Sequence, residues 1–448
     1  MTLRERYLEE LKEFLRIPSI STNPENASDI RRAAGFVLKQ LQTAGLENGH
    51  LIEAEGRHPL VYADWLHAPG KPTLLLYGHY DVQPPDPLDE WKSPPFEPEV
   101  RGENLYARGA ADDKGLTLIL VKAVESLLQH GRALPVNVRF LIEGEEETGG
   151  EHIEEFVQKG SPLLQADAAV ICDTEMFAPE LPTICVGLRG IVYGELHVRG
   201  AAQDLHSGTY GGAAPNAIMA AAEILTALKD RKGHIHIPGF YDRVQAPSET
   251  ELSAWKRLPF DEAKYLANEV GSTDLTGESE YSVLERTSAR PTFEVHGIRG
   301  GFTGEGAKTV IPAKAVVKIS ARLVFDQRPD EAMEQIEAAV RKACPRGVTA
   351  EFKLIHAAAP SLVNPDNVYI RSAAQAMTEI FSNETVYVRG GGSIPIVGAF
   401  DRYLKIPSVM MGFGLPDDNL HAPNEKFHIP NFHRGIESIC LFFEKLGK

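Results

Sequence analysis

Cysteine is scarce in this chain: Cys172, Cys185, Cys344 and Cys440 are the only four in 448 residues. They form no CxxC pair and show no regular spacing, which excludes a disulfide framework and a thiolate zinc site and points to a reducing, cytoplasmic setting. Long apolar runs are also missing. The longest, such as LTLILV at 116–121, fall far short of the roughly 20 residues that a membrane span needs. The opening segment MTLRERYLEELKEFLRI lacks the uninterrupted apolar stretch of a signal peptide and reads as an amphipathic helix. Basic residues are in deficit, with Lys plus Arg at 46 against Asp plus Glu at 62 and a net charge of −16. A surface of that sign repels a phosphate backbone, so neither nucleic acid nor an anionic membrane is expected as a partner. No GxSxG elbow and no phosphate-binding loop occur, which argues against serine hydrolase and nucleotide-dependent chemistry.

What is present describes a soluble globular protein: 43% hydrophobic and 24% charged residues, over a length about three times the usual 150 residues of one domain. Up to about residue 180 helix-like and strand-like patterns alternate, the sequence form of an α/β fold with a doubly wound, mostly parallel sheet. The strands are expected in PTLLLYGH, PVNVRFLIEG and ADAAVICD, with a helix between the first two closed by Gly131. From about 187 the style changes. VYGELHV, AVVKISARLVF and VTAEFKLI alternate polar and apolar residues around the helices NAIMAAAEILTALK and PDEAMEQIEAAVRKA, which predicts a smaller α+β domain with a solvated sheet face. Residues 234–291 show no clear period and read as a long irregular insertion. After about 360 helix, glycine run and apolar strand return. The expected organisation is therefore a first domain in two parts, 1–184 and 360–448, interrupted by an inserted domain at 185–359.

Three of the expected strands end in groups that bind metals: His79 and Asp81, the triplet Glu145-Glu146-Glu147, and Asp173. Asp112-Asp113 opens the helix, and His421 lies in the polar loop NLHAPNEKF. Each has an ordinary reading by itself, as a helix cap, a turn residue or a solvated acidic run. Together they carry more weight, because in open α/β sheets the carboxyl ends of the strands converge on the ligand crevice. Two imidazoles and three carboxylates suffice for a pair of divalent ions with one carboxylate bridging. The mixed N/O set suits Zn²⁺, with Mn²⁺ and Co²⁺ as alternatives. Asp81, two residues from His79, is placed to accept the other ring N–H, and one glutamate of the triplet is left to take a proton from water.

The motifs YGHYDV, YARGAADDKG, EGEEETGG, CDTE and LHAPNEKF, in this order, resemble the dinuclear zinc aminopeptidase-like family. That family contains carnosinase, cytosolic nonspecific dipeptidase, acetylornithine deacetylase, succinyl-diaminopimelate desuccinylase and a glutamate-releasing carboxypeptidase. QDLHSGTYGG, GAKTVIPAKAVVKISARL and RGGGSIPI are most similar to the dipeptidase branch, and the likeness covers essentially the whole chain. It implies that His79, Asp112, Glu147, Asp173 and His421 bind two metals with Asp112 bridging, that Glu146 is the general base, and that the peptide after Asp112 is cis. It further implies that the inserted domain is a ferredoxin-like lid that forms a homodimer, with His206 reaching the partner's substrate. Arg322 would bind the substrate's free carboxylate, a task suited to a planar guanidinium. Asn216, Thr309, Gly391, Gly392 and Ser393 match further substrate contacts.

The implied reaction is metal-dependent hydrolysis of dipeptides or short peptides by a metal-bridged water that Glu146 activates. One alternative is an N-acyl amino acid deacylase of the acetylornithine deacetylase or desuccinylase type, which presents the same carbonyl to the same metals. A non-catalytic peptide-binding relative is the alternative from another class. His234, His236, His428 and His433 are expected to be bystanders.

Overall fold

The computed structural model describes residues 2–129 and 133–448. The chain divides into two compact units: Met1–Val186 with Val363–Val388 and Ile394–Lys448, and Gly187–Leu362 with Arg389–Ser393. The glycine loop of RGGGSIPI, expected with the last part of the chain, thus packs with the second unit.

The sheet of the first unit has the order Glu47–Ile52, Leu60–Trp65, Asn137–Glu143, Thr73–His79, Ala168–Ile171, Ser408–Gly412, Thr183–Leu188. Its four central strands, Asn137–Glu143 to Ser408–Gly412, run parallel. The flanks are antiparallel, so the sheet is mixed and the expected parallel pairing holds at its centre. Thr73–His79 and Ala168–Ile171 are almost wholly buried, as their continuous apolar runs predict for strands covered on both faces.

The cover on this sheet comes from amphipathic helices. The first, Leu3–Leu15, opens on a capping box between Thr2 and Glu5 and buries Tyr7, Leu11, Phe14 and Leu15. Helix Lys114–Gln129 is buried along nearly its full length, and helices Val368–Phe381 and Ile429–Leu446 belong to the same apolar core. Each fully buried Leu or Phe contributes about 1.5–3 kcal/mol relative to exposure. Gly131, expected to close the helix, lies outside the described residues.

One close approach locks this helix to the sheet beside the candidate ligands. A Cβ on Gly78 would lie 2.0 Å from Thr117 Oγ1 and 2.9 Å from Asp113 Oδ2, so only glycine fits there. The contact is fastened by hydrogen bonds. Asp113 Oδ2 accepts the His79 N–H at 2.9 Å and the Thr117 hydroxyl at 2.7 Å.

The second unit holds a four-stranded antiparallel sheet ordered Thr292–Gly300, Lys314–Leu323, Gly190–Arg199, Thr349–Ala358. Numbered along the chain this is 2-3-1-4, with helices Ala217–Leu228 and Pro329–Ala343 following the first and third strands. That is the split βαβ arrangement of ferredoxin-like folds. The stretch expected to be irregular is less so. It contains helices Glu249–Trp255 and Val283–Ser288, both opened by capping boxes, Ser248 with Glu251 and Ser282 with Glu285. These S-x-x-E patterns were readable as helix starts. They are short, and the apolar period that marks a helix needs more turns to show.

Candidate metal centre

The parallel register brings the carboxyl ends of the central strands level, with His79 opposite Glu143 and Tyr77 opposite Ile171. Residues just beyond these ends are thereby gathered at one edge of the sheet. Asp112 joins them from the loop before helix Lys114–Gln129, and His421 from the loop before the strand Lys426–His428.

Two donor groups result, and they share a residue. His79, Asp112 and Asp173 form one, and Asp112, Glu147 and His421 the other. His79 Nε2 lies 3.2 Å from Asp112 Oδ1 and 3.9 Å from Asp173 Oδ2. His421 Nε2 lies 2.9 Å from Asp112 Oδ2 and 3.4 Å from Glu147 Oε2. Each oxygen of Asp112 thus faces a different imidazole. The peptide between Asp112 and Asp113 is cis, as the family resemblance implied.

Neighbouring groups orient these donors. His79 is fully buried, and its Nδ1 donates to the Asp81 carbonyl at 3.1 Å, with Asp81 Oδ1 at 3.3 Å. Nδ1 is thereby committed as a donor, which leaves the buried Nε2 facing Asp112 and Asp173. Asp81 Oδ2 accepts the Glu147 N–H at 3.1 Å, and Gln83 Nε2 donates to Glu147 Oε2 at 2.8 Å. Glu425 grips the loop that carries Asp112. Its carboxylate accepts from Arg108 Nη1 at 2.6 Å and from the N–H groups of Gly109, Ala111 and Asp112 at 2.9, 3.0 and 3.1 Å. Gln83 and Glu425 were not singled out in the sequence, and Asp113 was named there only together with Asp112. Asp113 and Glu425 stand inside the quoted motifs, but nothing local reveals which distant backbone groups they hold.

The triplet divides its labour. Glu145 Oε1 accepts the His58 N–H at 2.6 Å, and Glu147 faces His421. The Glu146 carboxylate takes no hydrogen bond among the described residues.

Electrostatically the site is a crowd of acids awaiting positive charge. Burial, reinforced by Asp173, Glu147 and Asp112 against a pull from His79, pushes Glu146 well above the carboxylate range. Burial and Asp112 push Glu147 up to about 8 and Asp173 up to about 6. The bond to Asp112 raises His421 to about 9. Burial works against a charged His79, but Asp112 and Asp81 outweigh it and hold its pKa well above the usual imidazole value. Carboxylates that draw protons onto two imidazoles mark a donor set whose charge fits a pair of cations.

The expected substrate contacts lie in the second unit. His206 is exposed, and its Nδ1 accepts the Gly208 N–H at 3.1 Å. It pairs with Val310, and the Thr309 carbonyl accepts the Ser207 N–H at 3.1 Å, so His206 and Thr309 are neighbours. Asn216 caps helix Ala217–Leu228, its Oδ1 accepting from Ile218 and Met219 at 3.0 and 3.2 Å. Only its amide NH₂ is left for another partner. Arg322 Nη1 donates to Ser393 Oγ at 2.8 Å, beside Gly391 and Gly392.

Known proteins resemble this chain along essentially its whole length. The profile of peptidase family M20/M25/M40 matches residues 75–445. Cys-Gly metallodipeptidase DUG1 of Candida albicans is 31% identical, over 100% of this chain and 96% of its own. Human Beta-Ala-His dipeptidase is 30% identical, over 99% and 91%. The crystal structure of the M20 family metallo-carboxypeptidase Sso-CP2 from Sulfolobus solfataricus superposes with a TM-score of 0.88 at 31% identity, over 100% of both chains. The chain therefore belongs to peptidase family M20/M25/M40 and, within it, to the metallodipeptidase branch.

Proposed function

We propose that this hydrolase cleaves dipeptides or short peptides with a free C-terminal carboxylate, with two divalent ions held by His79, Asp112 and Asp173 and by Asp112, Glu147 and His421. The observation that carries this reading is the sharing of Asp112 between two donor groups. The nitrogen and oxygen donors suit Zn²⁺, with Mn²⁺ and Co²⁺ as alternatives. When bound, such ions polarise the scissile carbonyl and acidify water.

The chain's own residues do the rest. Glu146, uncommitted and next to Glu147, takes the proton of the attacking water and returns it to the leaving nitrogen. Asp81 keeps the His79 ring in its tautomer. Arg322, with Ser393 and the N–H groups of Gly391 and Gly392, binds the terminal carboxylate. The test is a panel of dipeptides, N-acetyl amino acids and a peptide ending in glutamate, assayed with Zn²⁺ and Mn²⁺ and after EDTA. Dipeptide cleavage that EDTA abolishes and metal restores is the expected result. Cleavage of the N-acetyl compounds alone would replace the dipeptidase with a deacylase.

A homodimer formed through the second unit belongs to the same reading, with His206 acting at the partner subunit's substrate. The outer strands Thr292–Gly300 and Thr349–Ala358 expose Val295, Ile298, Leu354 and Ile355, apolar groups on unpaired edges that invite another chain. Mixing His206→Ala subunits with Glu146→Ala subunits is expected to restore activity that neither variant shows alone. The absence of complementation would refute action across subunits. Among the described residues no helix is long and apolar enough to cross a membrane. No disulfide joins Cys172, Cys185, Cys344 and Cys440, which supports a reducing, cytoplasmic setting.

A further inference from the structure

We propose that Arg189 is a second carboxylate-binding residue beside Arg322, so that two guanidinium groups hold the terminal carboxylate of the substrate. This rests on the reading of Arg322 above and extends it to a residue in the unremarkable sequence VGLRG.

The loop 391–393 is strapped between the two arginines. The Arg189 N–H donates to the Gly392 carbonyl at 3.1 Å, and Arg189 Nε donates to the Gly391 carbonyl at 2.8 Å. The Ser393 hydroxyl donates to the Arg189 carbonyl and accepts from Arg322 Nη1 at 2.8 Å. A Cβ on Gly391 would lie 2.8 Å from the Thr287 carbonyl and 3.2 Å from Arg189 Nη2, so the loop approaches as closely as it does only as glycine.

What the two guanidiniums lack is an anion. Arg189 Nη1 is buried without a hydrogen-bond partner. Among the described residues neither arginine has a carboxylate within ion-pair distance. By contrast the buried Arg108 pairs with Glu425 at 2.6 Å, and the part-buried Arg290 pairs with Glu278 at 2.6 and 2.8 Å. Burial, followed by repulsion from Arg322, holds Arg189 down to about 10, and burial lowers Arg322. A buried cation without a counter-charge is costly, and the cost falls when a ligand supplies the charge. A carboxylate matches the donor fork of a guanidinium, and among the described residues Nε is the only guanidinium nitrogen of Arg189 that hydrogen-bonds to the loop.

The test compares Ala-Leu with Ala-leucinamide, which lacks the terminal charge, on wild type, Arg189→Met, Arg189→Lys and Arg322→Met. Removing a charge-assisted bond from Arg189 should raise KM for Ala-Leu about tenfold or more, with kcat within about twofold. Ala-leucinamide should be unaffected, and Arg189→Lys should recover part of the loss. If Arg189→Met impairs both substrates equally, or leaves both unchanged, Arg189 only holds the loop and the proposal is overturned. If Arg322→Met keeps the preference for the free acid while Arg189→Met loses it, the Arg322 assignment fails and Arg189 stands. Calorimetry of L-leucine against L-leucinamide on the same variants reads the pocket without turnover. Equal binding of the two by wild type would overturn the proposal even if the chain cleaves no dipeptide.

Discussion

Glu146→Gln is expected to lower dipeptide turnover by about 10²- to 10⁴-fold, the range for removing a general base or acid, while metal content stays at the wild-type level. The physical basis is the split within one acidic triplet. Glu147 is tied to His421 and Gln83, Glu145 is tied to the His58 backbone, and Glu146 alone has no such engagement. Its carboxyl is pushed up by burial and by Asp173, Glu147 and Asp112, and pulled down by His79. A raised carboxyl is the better proton acceptor from water. The companion variant Glu147→Gln makes the test sharp, because it should lose bound metal as well as activity. Turnover kinetics and elemental analysis on the two proteins decide the matter. Near-normal turnover in Glu146→Gln, or metal loss in that variant, would reverse the assignment.

The second large effect is expected for Asp112→Ala. This change removes the one carboxylate common to both donor groups. Metal content should fall from about two per chain to one or less, because a site reduced to two donors holds a cation poorly. Hydrolysis should fall to background with it. Asp113→Asn is the contrast. That side chain holds the His79 N–H and the Thr117 hydroxyl and belongs to neither donor group, so its loss should weaken packing before it empties the site. Metal titration of both variants, with thermal melts to confirm folding, separates the two roles. Retention of two metals by Asp112→Ala would rule out the shared-ligand geometry.

Much of this was legible locally. Apolar runs such as TLLLYG and AAVIC marked buried strands, and alternation in VYGELHV and AVVKISARL marked half-solvated ones, because side-chain direction repeats over two residues and burial follows it. Thr2 with Glu5 marked a helix start in the same way. The donor types were legible too, since a strand end followed by His or Asp is a local pattern. Less legible were the flanking strands. Leu60–Trp65 is fully buried yet contains Asp64, whose carboxylate is satisfied by Tyr62 and Asn48. The edge strand Thr292–Gly300 exposes most of its residues, so no apolar period betrays it.

The sequence by itself determined the elements, the α/β character of the first unit and the inventory of metal-type ligands, because periodicity and residue chemistry act over a few neighbours. Only the tertiary structure decided which groups meet. Asp112 faces both imidazoles because the cis-linked loop that carries it is held by Glu425, whose carboxylate reaches the Asp112 N–H across 313 positions. Arg189 meets Ser393 across 204 positions. Hydrogen bonds over such separations leave no period in the chain, and only when strands register and loops close does an uncommitted glutamate differ from its neighbours.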